Sequence, residues 1–290
     1  LPAGNIYFVL YQEELKKGNT KDAERYKNAA TLIRNKLKYD HSRIAEGLPG
    51  AGGFFHKAVY PNQMWLDGAF MVLPFMAMYG RIKNDRSIVI DAVLQMMNIR
   101  DIMLDRETGL YYHGYDETKS MQWADEKTGL SSQFWLRSNG WLCAGLAELY
   151  EITENKEIGE MLKEHLTALS RYVTDEGMLL QLPTRTDLAG NYPETSGTLL
   201  FAYGALKGYN LGIVDKAAAD IGEKALLTVT EKYIDKSGDT PVMRNICLMG
   251  GLGGANNRDG SAEYYLSERI VENEAKGIAP YLMAAANFNA

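Results

Sequence analysis

The chain has 290 residues, 46% of them hydrophobic, enough to fill one large core or two ordinary ones. Lys and Arg number 31 against 37 Asp and Glu, a net charge of -6, which argues against a broad nucleic-acid surface but leaves room for a small anionic ligand. No uninterrupted apolar run reaches membrane-spanning length, no metal-ligand spacing links His41, His56, His113 and His165, and GLGG at 251–254 lacks the strand-and-helix frame of a dinucleotide loop.

Helical periodicity dominates the chain. Residues 5–16 and 21–37 read as two helices joined by the turn KGNT, with Thr20 the expected N-cap. A helix is expected over 62–79, bent where Pro74 breaks the hydrogen-bond ladder, and another over 86–103. The irregular stretch 105–134 repeats a phrase, DRETGL and DEKTGL, each a turn in which Gly takes the backbone geometry other residues resist. Helices resume at 135–152 and 156–173, and a turn leads to the extended piece MLLQLP. A further helical pair covers 196–209 and 216–233, the segment 241–267 is irregular and Gly-rich, and a helix over 275–288 closes the chain. Cys143 lies in an apolar helical run and reads as core; with Cys247 the only other cysteine, no disulfide framework is indicated.

Nine helical segments joined as hairpins point to an all-α fold. Regular loops would suggest an open solenoid; long, aromatic and mutually different loops at one end suggest a closed α/α toroid whose loops line one mouth. One domain over 1–290 is the expected organisation.

The run YPNQMWLDGAFMVLPFMAMY at 60–79 is apolar or aromatic around a single carboxylate, Asp67. Burying a carboxylate is costly unless it is paired or protonated, so Asp67 is a candidate acid or base with a raised pKa, or else a helix cap. Met71, one helical turn on, would line whatever pocket Asp67 faces. Three stretches mix aromatic and ionisable residues: 53–67, 111–125 and 134–141. Each precedes or begins an expected helix, so all three would open on the same mouth. Aromatic faces for sugar CH groups, carboxylates for hydroxyls and an Arg for a uronate are what a sugar site needs. By helical spacing Arg137 shares a face with Trp141 but not with Trp135. In the Gly-rich segment, Arg258, Ser261 and Tyr264 could meet a carboxylate or sugar hydroxyls, while Asp259 and Glu263 could equally serve as a structural clamp.

The phrases GGFFHKAVYPNQMWLDGAFM, YYHGYDE, FWLRSNGW and GLGG…RDGSAEYYLSE, in this order along essentially the whole chain, resemble glycoside hydrolase family 105. These are the unsaturated rhamnogalacturonyl hydrolases, related to the unsaturated glucuronyl hydrolases of family 88. The resemblance implies an (α/α)6 barrel and removal of a 4,5-unsaturated uronic acid from the non-reducing end of oligosaccharides left by polysaccharide lyases, such as those from pectin. It implies that Asp67 is the catalytic residue and that Trp65, Met71, His113, Trp135, Arg137 and Trp141 form the substrate pocket. The implied chemistry is protonation of C4 and hydration of C5 of an enol ether, with no metal or organic cofactor. Two departures stand out. The second Asp of the family, in a YNLD-like phrase, has no counterpart, and nine helical segments against twelve suggest that about three N-terminal helices are absent. A second chain could then cover the barrel edge, or the protein could be a catalytically impaired carbohydrate-binding relative. An unsaturated glucuronyl hydrolase, or another sugar-active enzyme of this barrel class, is the further alternative. Neither nucleic acid nor membrane is an expected partner, and the cytoplasm is the default location, with the periplasm as the alternative.

Overall fold

The structure, a computed structural model, describes residues 2–254 and 258–288. Helices α1 (Ile6–Lys16) and α2 (Thr20–Tyr39) pack on each other. Asn19, rather than Thr20, caps α2: its side chain accepts from the Asp22 amide, so the amide oxygen one residue earlier does what the Thr hydroxyl was expected to do.

The single bent helix expected over 62–79 is three elements: strand β1 (Gln63–Trp65), the short α3 (Gly68–Met71) and α4 (Leu73–Lys83). In so uniformly apolar a run, periodicity does not separate strand from helix. A distant partner decides it. Helix α5 (Arg86–Met103) intervenes, and then β2 (Gly114–Asp116) pairs antiparallel with β1, Trp65 opposite Gly114. Pro74 stands at the start of α4, where a missing N–H leaves nothing unsatisfied, and it starts the helix rather than bending it.

The repeated phrases fold as the same turn. The Asp105 carboxylate accepts from the Thr108 amide and hydroxyl at 2.8 and 2.6 Å, and Asp125 does likewise with Thr128 at 2.7 and 2.9 Å. Gly109 and Gly129 follow with φ of 73° and 78°.

Helix α6 (Leu136–Thr153) is buried on nearly every face; α7 (Lys156–Ser170) buries one side. The pattern repeats in α8 (Thr195–Asn210), again buried almost throughout, and α9 (Lys216–Thr228). A π-helical turn, Val229–Tyr233, ends the helix expected to run to 233. Helices apolar on all sides must lie inside. Accordingly α6 packs on α7 and α8, and α8 packs on α9 and on the last helix. Between them come β3 (Ile234–Asp235), β4 (Val242–Met243), β5 (Ile246–Cys247), α10 (Ala262–Ser267) and β6 (Ile270–Val271), before α11 (Ala275–Asn287). Among the described residues the strands form three two-stranded ladders and no closed sheet. Inner helices backed by outer ones make an all-α toroid of paired helices; among the described residues nine helices have eleven residues or more. Both cysteines are buried and free. Among the described residues no helix is long and apolar enough to cross a membrane.

Candidate active site

Asp67 occupies the turn between β1 and α3, at the N-cap position, but its side chain caps nothing. It is mostly buried, with 16% of the side chain exposed, and its Oδ2 lies 3.1 Å from Nε2 of the fully buried His113. The β1–β2 ladder brings them together: the Leu66 amide donates to the His113 carbonyl at 2.9 Å, setting the two side chains on adjoining strand ends. Behind His113, its Nδ1 lies 2.6 Å from the Tyr265 hydroxyl.

Burial pushes the Asp67 carboxyl up, but the hydrogen bond and charge of His113, followed by His56 and Arg137, more than offset it and hold the group below the usual carboxylate range. The raised pKa expected from the apolar sequence is therefore corrected. The run around Asp67 is apolar, but the imidazole that faces it comes from elsewhere in the chain.

The aromatic residues assemble in layers. Trp65 is stacked by the His56 ring at 4.1 Å and the Tyr60 ring at 5.0 Å, and the His113 ring meets its edge at 5.5 Å. Trp135 lies 4.8 Å from the His113 ring and stacks on Tyr265 at 6.1 Å. Burial pushes His56 down to about 4, so its ring stays neutral near pH 7. The three aromatic stretches thus meet, as expected of loops around one mouth.

Arg137 and Trp141, four residues apart on α6, contact different partners. Trp135 is in extended backbone just ahead of α6, outside the helical spacing, and the Arg137 guanidinium folds back over its ring at 4.8 Å. Arg137 is 1% exposed and donates to Ser196 Oγ at 3.2 Å and to the carbonyls of Cys247 and Leu248. Trp141 instead stacks on Phe70 of α3 at 4.8 Å and so holds the helix that follows Asp67. Close approach of α3 to α6 depends on Gly145, where a Cβ would lie 2.9 Å from the Ala69 carbonyl carbon and oxygen.

Met71, Trp65, Gly68 and His56 are among the residues lining a largely apolar cleft of about 730 Å³, together with Phe54 and Leu37. Arg258 and Ser261 are engaged elsewhere. Arg258 lies 3.7 Å from Glu268, and Ser261 caps α10 by accepting from the Tyr264 amide at 3.0 Å. The Tyr264 hydroxyl donates to Glu268 at 2.6 Å, so this group clamps a loop.

Three further residues were not picked out individually from the sequence, although Lys57 and Asn139 lie in the stretches 53–67 and 134–141. Asn139 accepts from the Tyr111 amide and donates to its carbonyl, both at 3.0 Å, tying α6 to the segment that carries His113. Gln181 accepts from the Trp135 indole at 3.2 Å and donates to the Tyr265 carbonyl at 3.1 Å. Lys57 lines the cleft and, among the described residues, forms no ion pair; its ammonium sits 5.8 Å from the Tyr60 ring centre. Among the described residues no group of three or more His, Cys, Asp or Glu could hold a metal ion.

This arrangement has relatives. The family model described as Glycosyl Hydrolase Family 88 matches residues 2–289. The chain is 35% identical over 228 residues to Protein Atu3128 of Agrobacterium fabrum, spanning 74% of this chain and 97% of that protein. It is 30% identical over 158 residues to the unsaturated rhamnogalacturonyl hydrolase YesR of Bacillus subtilis, a match covering 53% of this chain and 44% of YesR. Its structure superposes on a family 105 glycoside hydrolase from C. acetobutylicum with a TM-score of 0.87 and 31% identity, over 99% of this chain and 78% of that one. An unsaturated glucuronyl hydrolase from Bacillus sp. GL1 shares the fold at 15% identity, with a TM-score of 0.68 over 97% of this chain and 72% of that one. With the helical toroid, the buried carboxylate and a family match over nearly its whole length, the chain belongs to glycosyl hydrolase family 88, alongside the related family 105, and is a sugar-active hydrolase.

Proposed function

We propose that the protein removes a 4,5-unsaturated uronic acid, galacturonyl linked to rhamnose, from the non-reducing end of lyase-generated pectic oligosaccharides. The observation that carries this reading is the pairing of the mostly buried Asp67 with His113, in the turn whose neighbours Trp65 and Gly68 line an apolar cleft. Family membership supports the reaction type, and the likeness to a rhamnogalacturonyl hydrolase supports the choice of sugar.

In this mechanism Asp67 protonates C4 of the enol ether, and positive charge develops at C5, shared with the ring oxygen. Water adds at C5, giving up its proton to the Asp67 carboxylate. The C5 hemiketal opens to a ketone, and the hemiacetal left at C1 expels the aglycone as an alcohol. One carboxyl thus serves as acid and then as base. Asp67 rests ionised, and the incoming uronate is a like charge that opposes ionisation and favours the acid form. Trp65, with His56 behind it, offers an apolar face to the ring, and Met71 lines the adjoining wall. Lys57 is the accessible cation for the uronate, whereas Arg137 acts from beneath as a buried positive charge. In this reading Trp135 orients His113, Trp141 supports α3, and Arg258 and Ser261 stabilise the rim.

The test follows loss of the ultraviolet absorbance of the unsaturated uronyl group. Asp67→Asn is expected to keep the fold and lose turnover by about a hundred- to ten-thousand-fold. Near-normal turnover in this variant overturns the assignment, and turnover of glucuronyl in preference to galacturonyl substrates overturns the choice of sugar.

A further inference from the structure

Tyr265 lies on the far side of His113 from Asp67. It is fully buried, its ring is stacked on Trp135, and its main-chain carbonyl accepts from Gln181. Its hydroxyl is 2.6 Å from His113 Nδ1, and among the described residues that nitrogen is its one hydrogen-bond partner.

A neutral imidazole has one N–H and one bare nitrogen, and the partner of each nitrogen selects the tautomer. Suppose His113 carried a proton on Nδ1, as the imidazolium or as the neutral Nδ1–H tautomer. The buried Tyr265 hydroxyl would then accept, leaving its own proton without an acceptor. In the neutral form the bare Nε2 lone pair would also face an Asp67 oxygen 3.1 Å away. Both conflicts vanish if Tyr265 donates to Nδ1 and Nε2–H donates to Asp67 Oδ2. Burial also raises the Tyr265 phenol far above its ordinary value, so it keeps the proton it must donate.

We propose that Tyr265 is a positioning residue which sets the tautomer of His113, so that Nε2–H engages Asp67 Oδ2 and leaves Oδ1 as the oxygen that exchanges a proton with substrate. Among the described residues Oδ1 has no hydrogen-bond partner, while Oδ2 is taken by His113. The relay thus assigns different work to the two oxygens of one carboxyl. The Oδ1 part rests on the reading of Asp67 as the reacting group; the tautomer does not.

The first measurement is a nitrogen-15 correlation spectrum of the histidine rings at pH 7.5, with the His113 signals identified by their loss in His113→Gln. The expected result is a protonated Nε2 and a bare, hydrogen-bond-accepting Nδ1. A protonated Nδ1 overturns the proposal. This requires no change at Tyr265 and does not depend on turnover. The second uses Tyr265→Phe, which keeps the ring on Trp135. The Nδ1 shift should move toward that of an unpartnered nitrogen, and kcat should fall at least tenfold with KM within twofold. The pH profile of kcat should also shift, since the groups around His113 are Asp67 and His56 on the β1 side, Arg137 from α6 and Tyr265 from α10. An unchanged Nδ1 shift, or a kcat within twofold of the parent, overturns the proposal. Full turnover in Asp67→Asn would instead sink the catalytic reading while leaving the tautomer standing.

Discussion

Arg137 and Glu194 are joined through one hydroxyl. Ser196 Oγ accepts from the Arg137 guanidinium at 3.2 Å and donates to Glu194 Oε1 at 2.6 Å. Glu194 is fully buried and also accepts from the amides of Ser196, Gly197 and Cys247. It therefore caps α8 and balances a buried guanidinium at once. Replacing it by Gln removes the buried carboxylate linked to Arg137 through Ser196, and the expected loss is about 3–5 kcal/mol. Ser196→Ala should cost less, about 1–3 kcal/mol, because the charges remain. Urea unfolding with an unchanged slope would show both.

Gly145 lets the backbone of α3 rest directly on α6. A methyl group there meets main-chain atoms of Ala69 and Phe70, which cannot swing aside as a side chain can. Gly145→Ala is expected to destabilise the protein by about 1–3 kcal/mol. It should also lower kcat by displacing the turn that carries Asp67. A variant with normal stability and turnover would show that the two helices separate freely.

His113 is the main counterweight to the burial of Asp67. Without it, only His56 and Arg137 oppose burial, and the carboxyl rises from its position in the parent. In His113→Asn the residual activity should therefore persist to higher pH than in the parent, because a raised acid keeps its proton longer. Overall turnover should fall, since the carboxyl loses its orientation. Comparing the alkaline limbs of the two pH profiles checks the sign.

His165 is 1% exposed, and its Nε2 pairs with the Asn139 carbonyl at 3.1 Å. Burial pushes it down from 6.5 to about 4. Between those values the unfolded chain binds a proton that the folded one refuses, so stability falls as the pH drops from about 6.5 to 4. The full effect approaches about 3 kcal/mol. His56 contributes with the same sign. Denaturant midpoints at pH 7 and pH 4.5 should differ less in His165→Gln than in the parent.

The sequence by itself determined the helical character of the chain, because amphipathic spacing and turn chemistry are local properties. The repeated DRETGL and DEKTGL turns are legible for that reason, whereas the all-round burial of α6 and α8 appears only in the packed structure. The sequence also singled out Asp67, as the one carboxylate in an apolar run, and the three aromatic stretches around it. The tertiary structure decided what those residues face. Whether 63–65 is strand or helix depended on a partner strand in another segment. The direction of the Asp67 shift depended on an imidazole 46 residues away, and the fate of Arg137 on carbonyls more than 100 residues away. A carboxyl in an apolar sequence has no fixed pKa, because the largest opposing contributions come from charges and donors that only folding brings within hydrogen-bond reach.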